Sequence, residues 1–341
     1  MPRILLSLLY LLPALFCQSQ IPAADEEKPV IINGVEDSVL TLIPGIIEEE
    51  MPVIWKFSNV CLPDDSVSRK FVLDDRLVSE GWDTLNQPSF WQRVMQLHED
   101  SGYVNIADNR TILEVIEARD YLVLTDEKKK EFKKDIVEKY CLADSVKIFV
   151  TSGKQHFYKF RNTFSNIDTS ISVFLENGVD PWYAQTILLI ESPDKLQKSC
   201  AGAYGPFQLM KGVAKKYGLV VTKYKDERAD IGLAAVAASK LIKYICVPET
   251  ERLLVKYKLP YSKEDLWFRL MVLHVYHAGS GNVSAVLDAI QPTVGGPELI
   301  SKMWQTSAAG FKNASQNYSQ VALAALLELH RIVMEECEDM Y

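Results

Sequence analysis

The pattern of apolar and polar positions predicts helices along the carboxyl-terminal half of the chain. Apolar residues recur at helical spacing over 167–175, and Gly178 then favours a helix end. Asp180 and Pro181 form an N-cap and a first-turn proline, so a new helix should begin there and end at Glu191. The same periodicity predicts three further helices, over residues 231–245, 266–276 and 321–334.

The amino-terminal half gives weaker and more mixed signals. Residues 24–65 show no long helical period, and we assign them no element. A short strand is predicted over 145–151, and helices are predicted over 90–97, 111–118 and 132–140. We therefore expect an all-α protein with a mostly helical extension of unknown role over 24–150 and a helical domain over 151–341. The extension either supports the fold or recruits partners.

The first residues have the make-up of a secretory signal peptide. Arg3 precedes a short apolar core that is too short to span a bilayer, and we expect residues 1–23 to form this signal. The protein should then reach the periplasm or cell envelope. Cys17 lies where a bacterial lipoprotein carries its lipid, but Phe16 occupies a position that favours a small residue, so outer-membrane anchoring stays open. No later apolar stretch is expected to span a membrane.

The charge composition argues against a nucleic-acid-binding protein. The chain has 341 residues, with 37 Lys and Arg against 45 Asp and Glu, and a net charge of −8. The lysines over 128–134 alternate with acidic residues, which is typical of a solvated helix face. A duplex nucleic acid is therefore not an expected partner, because neutralising phosphates needs clustered cations.

Cysteine and histidine positions do not favour a metal site or a cofactor. The cysteines after Cys17 are far apart, and we expect mostly buried free thiols, with Cys200 and Cys246 the first pair to test for a disulfide. His274 and His277 lie three residues apart on a predicted helix but lack a third ligand in a zinc-binding frame. We therefore expect neither metal nor cofactor.

Glu191 occupies an unusual position at the end of an apolar helix. It follows Ile187 by four residues and Leu188 by three, so it lies on or beside the apolar face. A carboxylate there gains nothing from the helix dipole and loses hydration. It either serves as a buried acid with a raised pKa or simply ends its helix and points to water.

The residues around Glu191 form a specific constellation. Ser192 and Ser199 follow it, and residues 201–210 read AGAYGPFQLM, while residues 276–283 read YHAGSGNV. This order resembles the catalytic domain of lytic murein transglycosylases of the soluble type. It is most similar to the membrane-bound transglycosylase D branch, because the segments at 216–219 and 226–230 also match that pattern. The resemblance covers about residues 157–290.

This resemblance implies a lysozyme-like helical domain that acts on peptidoglycan glycan strands. Glu191 would protonate the glycosidic oxygen of the β-1,4 bond between N-acetylmuramic acid and N-acetylglucosamine. As a carboxylate it would then take the proton of the C6 hydroxyl, which attacks the anomeric carbon and leaves a 1,6-anhydro end. Water-using glycosidases ordinarily need two carboxyl groups, whereas this constellation offers one.

The resemblance also assigns roles to other residues. Ser199 would bind the acetamido group of the substrate, and Tyr276 would orient the Glu191 carboxyl. Gln208 and Met210, on a helix that starts beside the glutamate, would line the groove. The remaining substrate-binding positions would be Ser192, Gly205 and Phe207. The plainer alternatives are that Ser199 is a cap and that Met210 and Tyr276 belong to the core.

Three departures from the family pattern bear on this assignment. The spacing from Glu191 to Gln208 is one residue shorter than usual, which leaves open whether Ser199 or Cys200 faces the groove. Lys211 replaces a proline and His277 an asparagine. The alternative function is therefore a non-catalytic glycan-binding or envelope-scaffolding protein on the same fold, which meets envelope-protein partners through residues 24–150.

Overall fold

Helices make up most of the molecule. A computed structural model describes residues 57–61, 68–194 and 196–338, with 58% helix and 11% strand. The expectation of a predominantly helical protein is confirmed at this level. The predicted signal peptide and Cys17 lie outside the described residues.

Thirteen α-helices follow one another along the described part of the chain. They are α1 (Arg76–Ser79), α2 (Asn86–Gln96), α3 (Ala118–Leu122), α4 (Asp126–Lys139), α5 (Phe164–Glu176), α6 (Pro181–Glu191), α7 (Lys211–Lys216), α8 (Ile231–Leu241), α9 (Val247–Lys256), α10 (Leu266–Ala278), α11 (Ser280–Ile290), α12 (Pro297–Gln305) and α13 (Asn313–Glu338). The predicted helices over 90–97, 132–140, 167–175 and 266–276 correspond to α2, α4, α5 and α10. The helix predicted from Pro181 to Glu191 has these bounds in the structure.

Five strands lie in the amino-terminal part of the described chain. β1 (Phe57–Cys61) and β2 (Ser68–Val72) form an antiparallel ribbon. β3 (Ser101–Ile106), β4 (Ile112–Glu117) and β5 (Ile148–Ser152) form an antiparallel sheet in the order β4-β3-β5. This part of the extension is therefore a mixture of strands and helices, not mostly helical as predicted.

The helix predicted over 111–118 is wrong, because that segment is β4. Short runs of apolar and β-branched residues satisfy both a helical and an extended pattern, and tertiary pairing decides between them. Here β3 provides the hydrogen bonds, with Tyr103 opposite Val115. The short strand predicted over 145–151 is confirmed as β5.

The main core unites the amino-terminal segment with the helical body. Phe90 and Val94 of α2 belong to the same buried cluster as α5, α6, α10 and α13. The amide of Gln185, on α6, is fully buried and bonds the backbone N–H and C=O of Val72, both at 2.9 Å. Arg269 joins Asp74 to Asp180 at 2.9 and 2.7 Å. The division expected between residues 150 and 151 lies inside β5.

A second, small core lies beneath the three-stranded sheet. Val104 and Ile148 on one face of the sheet pack with Ile136 of α4. The lysine-rich side of α4 faces outward, as the charge pattern predicted: Lys128 and Lys130 are exposed, and the Thr125 hydroxyl caps the helix by accepting from Lys128 N–H.

The helical stretch Ile231–Lys256 is long and apolar enough by composition to cross a membrane. It is one candidate span by length and composition alone, within the described residues, although the sequence analysis expected no later stretch to span a membrane. The stretch comprises α8, a π-helical segment (Ile242–Cys246) and α9. The alanine-rich face of α8, including Ala234 and Ala238, is buried and packs against α5 and α6, so core packing accounts for part of the apolar character of this stretch.

The described cysteine side chains are free thiols. Cys246 is buried, whereas Cys141 and Cys200 are exposed. The pairing of Cys200 with Cys246 is therefore wrong, and burial holds for one of these three cysteines.

Candidate functional site

A cavity opens where the ends of α6 and α10 meet the beginning of α13. About 620 Å³ of space lies between its walls, and this volume includes open solvent. Its lining residues are Phe157, Tyr158, Ile190, Glu191, Gln197, Gln208, His277, Ala314, Asn317, Tyr318 and Val321. Four segments of the sequence, at residues 157–158, 190–208, 277 and 314–321, therefore contribute to one concave surface.

Glu191 enters this cavity because α6 is buried along its whole length. Residues 181–190 are all buried, so the last residue of the helix is carried to the edge of the core and not to open surface. Asp180 fixes the helix start by accepting a hydrogen bond from Trp182 N–H at 2.8 Å. Burial raises the pKa of Glu191 to about 7, and a hydrogen bond from Tyr318 opposes this rise.

Tyr318 contacts the Glu191 carboxyl group, and the sequence analysis did not single it out. Its hydroxyl donates to Glu191 Oε1 at 2.8 Å, across 127 residues of sequence. Burial raises the pKa of Tyr318 well above its usual value, and the nearby Glu191 adds to this effect. The tyrosine therefore stays protonated and acts as a hydrogen-bond donor. Asn317 and Tyr318 lie in the polar first turns of α13, ahead of the apolar run 321–327, and no local signal in the sequence distinguishes them from their polar neighbours.

Tyr276 lies beside the site but has a different hydrogen-bond partner from the one predicted. Its hydroxyl donates to the backbone oxygen of Phe207 at 2.5 Å, not to Glu191. Burial raises its pKa well above the usual value, with a further contribution from Glu191. Tyr276 therefore holds the loop that passes the site, while Tyr318 contacts the carboxyl group.

Gln208 and Met210 lie in a loop, not on the helix that was predicted, because α7 begins only at Lys211. Gln208 has a left-handed backbone with φ of 46°. Its side chain lines the cavity, and its Nε2 donates to the backbone oxygens of Gln197 and Gly205 at 2.7 and 3.0 Å. Met210 is 42% exposed and is not among the lining residues.

Four other residues that were predicted to bind substrate support this loop instead of lining the cavity. Ser199 is buried, and its Oγ accepts from Ala203 N–H at 2.9 Å, as a cap does. The Ser192 hydroxyl donates to the Pro206 oxygen at 2.9 Å. The other two are Phe207, stacked on Phe174 in the core, and Gly205. Cys200 is exposed and does not line the cavity either.

Arg228 holds the loop between α6 and α7 by hydrogen bonds to its backbone. Its Nη1 donates to the backbone oxygens of Gly202 and Leu209, both at 2.9 Å, while Asp226 accepts two further bonds from the guanidinium. Gly205 has φ of 84°, and a Cβ there would lie 1.7 Å from the Arg228 oxygen. The loop therefore requires glycine at this position.

His277 forms a wall of the cavity beside the carboxyl group. Its ring stacks on Tyr318 with centroids 4.2 Å apart, and burial lowers the pKa of His277 to about 3. It is therefore neutral near pH 7. His274 lies deeper, 2.9 Å from the Ser319 hydroxyl. Within the described residues no group of three metal-ligating side chains occurs.

Glu191 is the one acidic residue among those that line the cavity, and none of the lining residues is Lys or Arg. A carboxyl group in such surroundings is partly protonated near neutral pH. It can donate a proton to a bound oxygen and accept one afterwards. No protein-family model matches the chain, and no curated protein matches it.

Proposed function

We propose that this protein is a peptidoglycan lytic transglycosylase with a lysozyme-like helical domain, exported to the cell envelope. The observation that carries the proposal is the lone carboxyl group of Glu191, buried at the edge of a cavity that opens to solvent and with a pKa raised to about 7. The constellation of residues around it in the sequence gives the substrate class.

The proposed reaction needs one carboxyl group. Glu191 donates its proton to the glycosidic oxygen as the bond from that oxygen to C1 of the muramic acid breaks. The C6 hydroxyl of the same sugar then forms a bond to C1, and the Glu191 carboxylate takes up the hydroxyl proton. The acid is thereby regenerated, and the sugar ends as a 1,6-anhydro ring. An intramolecular nucleophile can contribute up to about 7–11 kcal/mol through proximity.

Tyr318 and Gln208 support this chemistry in different ways. The Tyr318 hydroxyl donates to one carboxyl oxygen and so fixes the orientation of the acid. Gln208 is held by two backbone oxygens and forms part of the wall along which a glycan strand would lie. Because His277 is neutral, its ring places no positive charge beside Glu191. A positive charge there would favour the carboxylate, so its absence favours the protonated acid.

Digestion of isolated peptidoglycan tests the proposal. The wild-type protein should release muropeptides with anhydro ends, detected by mass spectrometry, and Glu191→Gln should lower the rate by about 10²–10⁴-fold because the proton donor is lost. Glu298→Gln, at an exposed position on α12, is the matched control and should cleave normally. Glycan binding without cleavage by the wild-type protein would instead favour the glycan-binding scaffold.

A further inference from the structure

The turn between β3 and β4 places a buried cation behind the cavity. Arg110 is 5% exposed and adopts φ of 59°, which is uncommon for a residue other than glycine. Its guanidinium carbon lies 5.6, 5.7 and 5.3 Å from the ring centroids of Phe90, Trp91 and Phe149. Burial lowers the pKa of Arg110 to about 10, so the side chain remains charged at neutral pH.

This cation contacts the cavity wall through one residue. Arg110 Nη2 donates to Asn317 Oδ1 at 2.6 Å, and Asn317 lines the cavity next to Tyr318. A guanidinium has hydrogen-bond donors only, so it must pair with the oxygen of the Asn317 amide and not with its nitrogen. The amide oxygen therefore faces Arg110, away from the cavity. The amide oxygen is occupied, and the amide nitrogen donates only a long bond, 3.3 Å, to Asn313 Oδ1. Asn317 can therefore present an N–H donor to a ligand.

The surrounding contacts hold this pair in place. Trp91 Nε1 donates to Gln320 Oε1 at 3.1 Å, one turn of α13 beyond Asn317. Gln92 and Gln96 of α2 both donate to Glu328 Oε2, further along α13. The amino-terminal segment thus fixes the axial position of the helix that carries Asn317 and Tyr318.

We propose that Asn317 binds the acetamido oxygen of an amino sugar beside the scissile bond, and that Arg110 is the positioning residue that aims the Asn317 amide. This inference rests on the proposed function. It transfers to Asn317 the role that the sequence analysis gave to Ser199, whose hydroxyl is occupied inside a buried loop. It also gives the amino-terminal sheet a part in substrate selection.

Calorimetric titration of two probes tests the inference. The probes are chitopentaose in its fully N-acetylated form and in its fully de-N-acetylated form, added to full-length Glu191→Gln protein. The parent should prefer the N-acetylated probe. Asn317→Asp is isosteric and retains Arg110 as a partner, but it has no N–H donor and attracts an amine. The ratio of affinities for the N-acetylated over the de-N-acetylated probe should therefore be at least about five-fold lower in Asn317→Asp than in the parent.

Variants of Arg110 distinguish a role in orienting the Asn317 amide from a role in the stability of the fold. Arg110→Met should lower the preference by about five-fold, and Arg110→Lys, which can still donate to Asn317, should restore most of it. A purely structural role would instead weaken both probes equally. Unchanged preference in Asn317→Asp and Arg110→Met, with binding retained, would overturn the inference alone. A parent that binds neither probe, or binds both equally, would also overturn this inference, whereas a wild-type protein that does not cleave peptidoglycan would overturn the proposed function and this inference with it.

Discussion

At the scale of single residues, the behaviour of Glu191 follows from what surrounds its carboxyl group. Desolvation disfavours the charged form, and the cavity offers no lysine or arginine to offset it. The hydrogen bond from Tyr318 favours the charged form, but burial is the larger effect, and the pKa settles at about 7. The same burial keeps His277 neutral. One acid is therefore available in both protonation states near neutral pH.

Removal of the Tyr318 hydroxyl should change the pH dependence of cleavage. A general acid must be protonated, so activity should fall as the pH rises through the pKa of Glu191, about 7. Tyr318→Phe removes a hydrogen bond to the carboxylate, which raises this pKa, and the alkaline limb of the rate profile should move to higher pH. Initial rates of peptidoglycan cleavage between pH 5 and pH 9 measure the limb.

Tyr276→Phe is the matched control for this experiment. It removes a hydroxyl of the same kind, but one that bonds the Phe207 oxygen and not Glu191. The rate can decrease as the loop loosens, while the alkaline limb should keep its position. An equal displacement of the limb in both variants would contradict the assignment of Tyr318.

Stability should also depend on the ionisation of Glu191. Its folded-state pKa of about 7 lies above the ordinary value of 4.5, so the folded state loses stability as the pH rises between these values. Glu191→Gln removes this loss. The variant should exceed the wild type by about 3 kcal/mol in free energy of unfolding at pH 8 and match it near pH 4. Urea unfolding at both pH values measures the difference, and a constant difference would contradict it.

At the scale of elements, the helices with strong local signals could be predicted. The N-cap and first-turn proline of α6 fix its start, as predicted. Local patterns did not show that residues 112–117 pair with β3, because the partner strand supplies those hydrogen bonds. Local patterns also could not place Tyr318 against Glu191, because these two residues lie 127 positions apart in the sequence.

The loop between α6 and α7 was mispredicted for a related physical reason. Its backbone oxygens are bonded by Arg228, which comes later in the sequence, and not by a helical ladder. Residues 201–210 were recognisable as a motif, but their conformation depends on that distant cation. Glu191 and Gln208 were therefore predictable as residues of the cavity, while the positions of Ser199, Met210 and Tyr276 relative to it were not.

Gly205→Ala should destabilise this loop strongly. A Cβ at φ of 84° and 1.7 Å from the Arg228 oxygen forces the backbone to move, at a cost of about 3 kcal/mol or more. Gly212→Ala is the control, because that glycine lies in α7 with open space around it. It should stabilise the protein by about 0.5–1 kcal/mol. Thermal unfolding compares the two, and a tolerated Gly205→Ala would contradict the tight packing of the loop.

At the scale of the whole molecule, the amino-terminal segment and the helical body share one core. The fully buried amide of Gln185 links the backbone of β2 to α6, the helix that carries Glu191. Trp91 and Arg110 donate hydrogen bonds to Gln320 and Asn317 of α13, the helix that carries Tyr318. The two halves of the chain therefore depend on each other for the geometry of the cavity.

Gln185→Leu should expose this dependence. The change leaves the buried N–H and C=O of Val72 without their partner and should cost about 3 kcal/mol. Gln305→Leu, at an exposed position at the end of α12, should stay within about 0.5 kcal/mol of the wild type. Urea unfolding gives both values. If Gln185→Leu left the free energy of unfolding unchanged, β2 would not support α6.

Cleavage of peptidoglycan in water enriched in ¹⁸O distinguishes a lone acid with an internal nucleophile from an ordinary hydrolase. If the muramic acid C6 hydroxyl is the nucleophile, wild-type products should carry anhydro ends with no ¹⁸O, and Glu191→Gln should release almost none. Reducing ends that contain one ¹⁸O atom per cut would contradict this mechanism, because water would then be the attacking group.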